Sequence, residues 1–160
     1  MEKTMRSRFN AQEIAPALGE ISAALFKATG NGSVPPTTIG LISLRASQIA
    51  GNTYTLVRAA RVLRTLGESE DRIDALGSWW DAPYFTDAER AALGLVEAVL
   101  QPSTAGAERV PDELYARAAE HYDPDALVTL AIAIGQANFF MPVALIGRPL
   151  PGMPPAETWT

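Results

Sequence analysis

The sequence has 160 residues, of which 48% are hydrophobic and 19% are charged, a composition typical of one ordinary folded domain. This profile excludes a disordered or fibrous chain, and the length is sufficient for a core without metal or disulfide cross-links. The net charge of -5 argues against nucleic acid as a partner, because phosphate binding requires clustered lysine and arginine. The sequence contains no cysteine, which excludes thiol peroxidase, disulfide exchange and cysteine-ligated metal chemistry.

The two ends of the chain are interpreted as extended or flexible tails, residues 1–12 and 149–160, around a single domain. The N-terminal tail is charged and lacks the apolar stretch of a secretory signal, so we expect a cytoplasmic protein. The longest apolar run, residues 126–147, is interrupted by Gln136 and Pro142. We therefore expect no membrane-spanning segment.

Apolar residues recur at three- and four-residue spacing, and long alternating runs of β-branched residues are absent, which predicts an all-α fold of about seven helices. The first helix spans residues 14–28 and ends at a Gly-Asn-Gly-Ser turn. Its apolar side is expected to face the core through Leu18, Ile21, Leu25 and Phe26.

A Pro-Pro pair at residues 35–36 begins the second predicted helix, which continues to a break at Gly51. The third helix follows from about residue 52 and ends at Gly67, a residue suited to a C-terminal cap. Its arginines, Arg58, Arg61 and Arg64, form a basic stripe, which we interpret as a solvated or salt-bridged helix face.

The fourth helix is predicted over residues 69–80, and Thr86 with Glu89 then forms a capping box in front of the fifth helix. The sixth helix begins at residue 111 and ends near residue 122. The seventh begins at an Asp-Pro pair, residues 123–124, and continues through residue 137. We expect Pro142 to break or kink the chain after it.

Residues 44–56 read Leu-Arg-Ala-Ser-Gln-Ile-Ala-Gly-Asn-Thr-Tyr-Thr-Leu. This segment resembles a motif of the carboxymuconolactone decarboxylase and alkylhydroperoxidase D-like family, L-R-x-A-Q-x-N-G-C-x-Y-C-L-x-x-H, in which two cysteines cycle between dithiol and disulfide. Further segments resemble the family in the same order, at residues 79–93, 110–114 and 125–138. The resemblance implies an AhpD-like helical bundle.

The family's reactive residues are replaced in this sequence. The two cysteine positions are Asn52 and Thr55, the position of the proton-relaying glutamate is Gly40, and the histidine position is Ala59. A neutral asparagine offers no useful acid-base chemistry, and a threonine hydroxyl is a poor nucleophile without an adjacent base. The resemblance therefore identifies no catalytic residue, and we expect the family's thiol peroxidase activity to be absent.

The remaining polar residues of the aligned segments are candidates for ligand binding. Tyr54 lies between the two replaced positions, and it either packs in the core or, together with its neighbours, orients a small molecule in an apolar pocket. The full set of candidates is Asn52, Tyr54, Thr55, Trp79 and Asn138.

No metal site or cofactor is expected. The single histidine, His121, lies near the end of the sixth predicted helix, and one histidine cannot supply the usual ligands of catalytic zinc. The acidic pairs and clusters, Glu68 with Glu70 and the group near residue 112, are typical of helix N-termini.

Three functions remain open for a family member without the redox centre. The first is binding of a small organic molecule in the residual pocket. The second is a cofactor-free enzyme of decarboxylase, isomerase or lactone type, and the third is a structural subunit paired with an active paralogue. The resemblance also implies a homo-oligomer, commonly a trimer or hexamer.

Overall fold

The computed structural model describes residues 6–102 and 104–151. The described residues form α-helices joined by turns and one 3-10 segment, with no strand among them, so the all-α prediction is confirmed. The helices are α1 (Ala11–Ile14), α2 (Ala17–Thr29), α3 (Pro36–Ala50), α4 (Thr53–Thr65), α5 (Glu70–Ala75), α6 (Asp87–Leu100), α7 (Asp112–Ala119) and α8 (Pro124–Gly147), and the 3-10 segment is Leu76–Ser78.

Helix α3 lies at the centre of the bundle and contacts α4, α6 and α8. Its side chains reach two separate groups of buried apolar residues. Leu41 and Leu44 pack with residues of α4 and the 3-10 segment, whereas Ile42 packs with residues of α6 and α8. Adjacent helical residues point about 100° apart, so a helix buried on two sides can join both groups.

The helix boundaries predicted from capping residues are confirmed. Thr86 and Glu89 form both hydrogen bonds of the capping box, and the Asp123 carboxylate accepts a hydrogen bond from the Ala126 N–H at 2.8 Å. Gly51 and Gly67 adopt left-handed backbone conformations, with φ values of 69° and 85°. Only glycine adopts this region without a steric cost, which explains the ends of α3 and α4.

Of the two effects predicted for Pro142, a break or a kink, the break is wrong, because α8 continues through this residue to Gly147. Proline removes one backbone hydrogen bond, but Pro142 is exposed, so water can hydrate the carbonyl that it frees. Met141 and Ala144, on either side, are buried. Their packing holds the last turns of α8 in place despite the local preference.

The structure also differs from the predicted bounds in the N-terminal region and in the fourth predicted helix. Residues 11 and 12, assigned from sequence to the N-terminal tail, lie in the single turn of α1, and the Arg8 N–H donates to the Gly147 carbonyl at 2.8 Å. The fourth helix is regular only as α5, and the chain then tightens into the 3-10 segment. Residues 152–160 of the predicted C-terminal tail lie outside the described residues.

Helix α2 does not bury its apolar side as predicted. Phe26 is 57% exposed and Ile21 is exposed as well, whereas Leu18 and Leu25 are half-buried. Helix α2 packs mainly on α8 and α1. Its apolar side therefore borders an open space, whose lining is described below.

Helix α8 has 24 residues, and its most apolar 18-residue window has a mean hydropathy of 1.7. By length and composition alone it is the one helix in the described part of the chain that could cross a membrane. It packs against α2, α3, α4, α6 and α7. Burial of a helix between other helices also accounts for an apolar composition.

Candidate functional site

The two positions that carry cysteine in the resembled motif lie at the first turn of α4. Asn52 is the N-cap of this helix, and its Oδ1 atom accepts a hydrogen bond from the Thr55 N–H at 2.9 Å. The Thr55 hydroxyl donates to the Asn52 carbonyl at 3.3 Å. The Asn52 side chain thus caps the N-terminus of α4, a structural task for which asparagine is well suited.

The glutamate position of the motif has no room for a side chain. A Cβ atom on Gly40 would lie 2.6 Å from Leu63 Cδ2 and 3.1 Å from Leu63 Cγ. Leu63 is completely buried, so it cannot swing into solvent to make space. The carboxylate relay of the motif is therefore replaced by close contact between α3 and α4.

A cavity of about 490 Å³ lies beside this contact, bordered by α2, α3, α4 and α8. Three of the four replaced motif positions line it, namely Gly40, Thr55 and Ala59. Its wall is mostly apolar, and its size is in the range of cavities that hold small organic ligands. The apolar part of the wall includes Leu18, Phe26, Val34, Ile39, Val62, Phe140, Met141 and Val143.

Polar groups line the cavity from α4 in particular. Tyr54 and Arg58 lie one turn apart, and the Arg58 guanidinium donates to the Tyr54 hydroxyl at 3.4 Å. The Thr55 hydroxyl also contacts Met141 Sδ of α8 at 3.6 Å. Residues four apart share one helix face, and this spacing was the available signal that Arg58 accompanies Tyr54. Sequence reasoning had assigned Arg58 only to the basic stripe.

The structure does not bring the five ligand-binding candidates together. Tyr54 and Thr55 line the cavity, whereas Asn52, Trp79 and Asn138 are not among its lining residues. Asn52 caps α4, and Asn138 is exposed on α8.

Trp79 belongs to a different polar cluster, which joins α3 to α6. Its Nε1 donates a hydrogen bond to Glu97 Oε1 at 2.8 Å, and the same oxygen accepts a hydrogen bond from Arg45 Nε at 2.9 Å. Arg45 is only 8% exposed, and its second nitrogen donates to Gln48 at 3.1 Å. A buried charge is costly without a partner, so Arg45 requires this pairing, and Glu97 is engaged by it.

Two of the acidic residues named above, Glu68 and Glu70, form ion pairs with arginines. Glu68 lies 2.7 Å from Arg72, and Glu70 lies 2.6 Å from Arg64. His121 is exposed and lies edge-on to Tyr122. No group of three or more histidine and carboxylate side chains suited to a metal ion occurs within residues 6–102 and 104–151.

Comparisons with known proteins agree with this structure. The sequence profile of the carboxymuconolactone decarboxylase family matches residues 12–98. YdfG of Bacillus subtilis (strain 168), an uncharacterized protein, is 38% identical over 135 residues, which is 84% of this chain and 89% of YdfG. YnjA of Escherichia coli (strain K12), also uncharacterized, is 33% identical over 105 residues, which is 64% of this chain and 54% of YnjA.

Solved structures show the same fold. A protein of unknown function from Agrobacterium tumefaciens, described as a candidate antioxidant defence protein AhpD, has a TM-score of 0.82 and 28% identity, and the match covers 93% of this chain and 100% of that one. The debrominase Bmp8 has a TM-score of 0.75 and 20% identity, over 92% of this chain and 77% of its own. With the profile match and the identity to YdfG, this chain belongs to the carboxymuconolactone decarboxylase family, as a member without cysteine.

Proposed function

We propose that this protein binds a small organic molecule in the cavity between α2, α3, α4 and α8, without thiol redox chemistry. The observation that carries the proposal is the cavity of about 490 Å³ at the position of the replaced redox motif. A mostly apolar wall with a few convergent polar groups is typical of ligand sites. The replaced cysteines leave the cavity without a reactive thiol, which removes thiol redox chemistry from it.

The fold of the family is compatible with such a ligand. A cysteine-to-alanine variant of the debrominase Bmp8 is known in complex with 2,3,4-tribromopyrrole, and its structure matches this chain with a TM-score of 0.76 and 20% identity. That ligand belongs to Bmp8. The likeness supports the capacity of the fold to hold a small ring compound.

Binding can be measured with the neutral fluorophore N-phenyl-1-naphthylamine, whose emission rises in an apolar site. We expect saturable binding to the wild-type protein. The Val62→Trp and Ser22→Trp variants place a large side chain in the cavity wall from α4 and α2, and both should abolish binding. Thr65→Trp is the matched control, because Thr65 is exposed on α4 and outside the lining. Equal binding by all four proteins, or none by the wild type, would refute the proposal.

The predicted absence of thiol redox chemistry can be tested by a hydroperoxide reduction assay. We expect no turnover of an organic hydroperoxide, even with an excess of dithiol reductant, because the chain has no thiol to carry the electrons. Robust hydroperoxide reduction by the purified protein would contradict this part of the proposal.

A second candidate is a cofactor-free enzyme, and the pair formed by Tyr54 and Arg58 favours it. A phenol beside a guanidinium can donate a proton or a hydrogen bond to a bound substrate. Tyr54→Phe should then lower the rate for a carboxylated lactone substrate while folding is retained. An unchanged rate in this variant would reject Tyr54 as the acid.

We also propose that the chain self-associates through α8. Exposed positions recur along this helix at three- and four-residue spacing and include no charged residue; they are Val128, Ala131, Gly135, Asn138, Pro142 and Leu145. An uncharged stripe of this length is typical of an interface between helices. Val128 is 59% exposed and Leu145 is 47% exposed, so the apolar area is available to a partner.

Light scattering at micromolar concentration tests the association. We expect the mass of a trimer or hexamer for the wild type and a smaller mass for Val128→Glu and Leu145→Glu. Tyr115→Glu on α7 changes an exposed apolar residue outside the stripe and is the control. A monomeric mass for the wild type would contradict the proposal, and co-purification with an active paralogue would favour the structural-subunit alternative.

A further inference from the structure

The charge of the cavity wall distinguishes it from the rest of the molecule. The sequence contains 18 acidic and 13 basic residues. Nevertheless, no aspartate or glutamate is among the described residues that line the cavity, and Arg58 is the one charged residue of that lining. A single positive charge in an apolar wall favours a ligand with one negative charge.

Arg58 differs from the ion-paired arginines, Arg45, Arg64 and Arg72, in its hydrogen-bond partner. Arg45 is paired with Glu97 at 2.8 Å, and Arg64 is paired with Glu70 at 2.6 Å. Arg58 instead donates to the neutral hydroxyl of Tyr54, and within the described residues no carboxylate lies within ion-pair distance of it. A guanidinium without a carboxylate can present two N–H groups to an external one in a bidentate arrangement.

The position of Arg58 also gives the ligand a direction. Arg58 is exposed, so its charge lies at the mouth of the cavity. Val34, Met141 and Ala144 line the cavity and are buried. A ligand that contacts both Arg58 and the buried apolar wall therefore places its charge at the mouth and its apolar body inside.

From these observations we infer that the cavity selects an amphiphilic organic acid, with an apolar aliphatic or aromatic body and one carboxylate that binds Arg58. The inference rests on the proposed function, because it names the class of ligand for the same cavity. The Tyr54 hydroxyl, hydrogen-bonded to Arg58, lies next to the position of the carboxylate.

Three probes of equal chain length separate charge from apolar contact: octanoate, octanamide and octylammonium. Their affinities are measured by calorimetry, or by displacement of N-phenyl-1-naphthylamine, at constant ionic strength. We expect octanoate to bind wild-type protein roughly fivefold more tightly than octanamide, since an ion pair with an exposed guanidinium is worth up to about that factor. Octylammonium should bind most weakly.

The Arg58→Gln variant should bind octanoate no better than octanamide, whereas Arg61→Gln should retain the preference. Arg61 is exposed on the same helix, outside the cavity lining, and carries the same charge, so it controls for the net charge of the protein. Arg58→Lys should retain part of the preference, because it keeps the charge and loses the planar fork.

The outcomes separate the two claims. Equal affinities for octanoate and octanamide in the wild type, or an equal loss in the Arg58→Gln and Arg61→Gln variants, would overturn the inference and leave the proposed binding function intact. If neither these probes nor the fluorophore binds, the proposed function fails together with the inference.

Discussion

The contact between Gly40 and Leu63 yields the most specific prediction, because two opposing effects act on one substitution. Gly40→Ala in α3 should gain about 1 kcal/mol from helix propensity. The new Cβ would, however, lie 2.6 Å from Leu63 Cδ2 in a completely buried position. Overpacking of this kind costs roughly 1–3 kcal/mol. We therefore expect Gly40→Ala to lower the free energy of unfolding by up to about 2 kcal/mol, or to leave it unchanged.

The same substitution should become stabilising when Leu63 is truncated. Leu63→Ala alone should cost about 2–5 kcal/mol, because it leaves a cavity in the core. In that background the Cδ2 atom is gone, and Gly40→Ala should raise the free energy of unfolding by about 1 kcal/mol. The coupling between the two positions is then about 1–3 kcal/mol, equal to the overpacking cost.

Urea unfolding followed by circular dichroism, at fixed protein concentration, measures these values. Gly19→Ala is the control, because Gly19 is exposed on α2 and its added Cβ would meet no atom within 4 Å. It should stabilise the wild type and Leu63→Ala by the same amount. If Gly40→Ala behaves like Gly19→Ala in both backgrounds, the steric explanation for the missing carboxylate is refuted.

Three further predictions concern stability. Asn52→Ala removes the cap of α4 and should cost about 1 kcal/mol in urea unfolding. Glu97→Ala leaves the buried guanidinium of Arg45 without its carboxylate, which should cost about 3 kcal/mol and shift Trp79 fluorescence, since the indole loses its acceptor. Burial, followed by the charge of Glu89, raises the pKa of Tyr122 to about 12. The unfolded state loses that proton near pH 10, so the wild type should lose more stability than Tyr122→Phe as pH rises from about 10 to 12.

Each of these predictions has a matched comparison. Thr53→Ala changes the exposed residue next to Asn52 and leaves the cap hydrogen bond intact, so it should be nearly neutral. Replacing Arg45 and Glu97 together by leucine should cost less than Glu97→Ala, because no charge is left unpaired, and a larger cost would contradict the reasoning. Tyr115→Phe changes an exposed tyrosine, so its free energy of unfolding should fall with pH as steeply as that of the wild type. If the fall is the same in Tyr115→Phe and Tyr122→Phe, Tyr122 is not its source.

The sequence was sufficient for features that depend on a few neighbouring residues. The capping box of Thr86 and Glu89, the Asp123 cap and the glycines at residues 51 and 67 each lie within a few residues of the backbone groups that they satisfy. The order of the family segments then identified the fold. Such signals are read correctly because the interacting groups are covalently close and have few alternatives.

Site residues were predicted only where the motif itself supplied them. Tyr54 and Thr55 were found because they lie between and at the replaced cysteine positions, and they line the cavity. Arg58 was assigned to a surface stripe, because its helical position is compatible with solvent and with the cavity mouth alike. Asn52 and Trp79 were proposed for a ligand but have structural partners, and those partners could not be read from spacing.

The sequence by itself determined that the chain is an all-helical family member and that thiol chemistry is absent, because composition, caps and motif are local properties. Only the tertiary structure decided that α8 passes through Pro142, that α2 borders a cavity, and that Leu63 occupies the space beside Gly40. These outcomes depend on contacts between distant segments. The packing free energy at such contacts exceeds the local conformational preferences of single residues, and it cannot be predicted from a short sequence pattern.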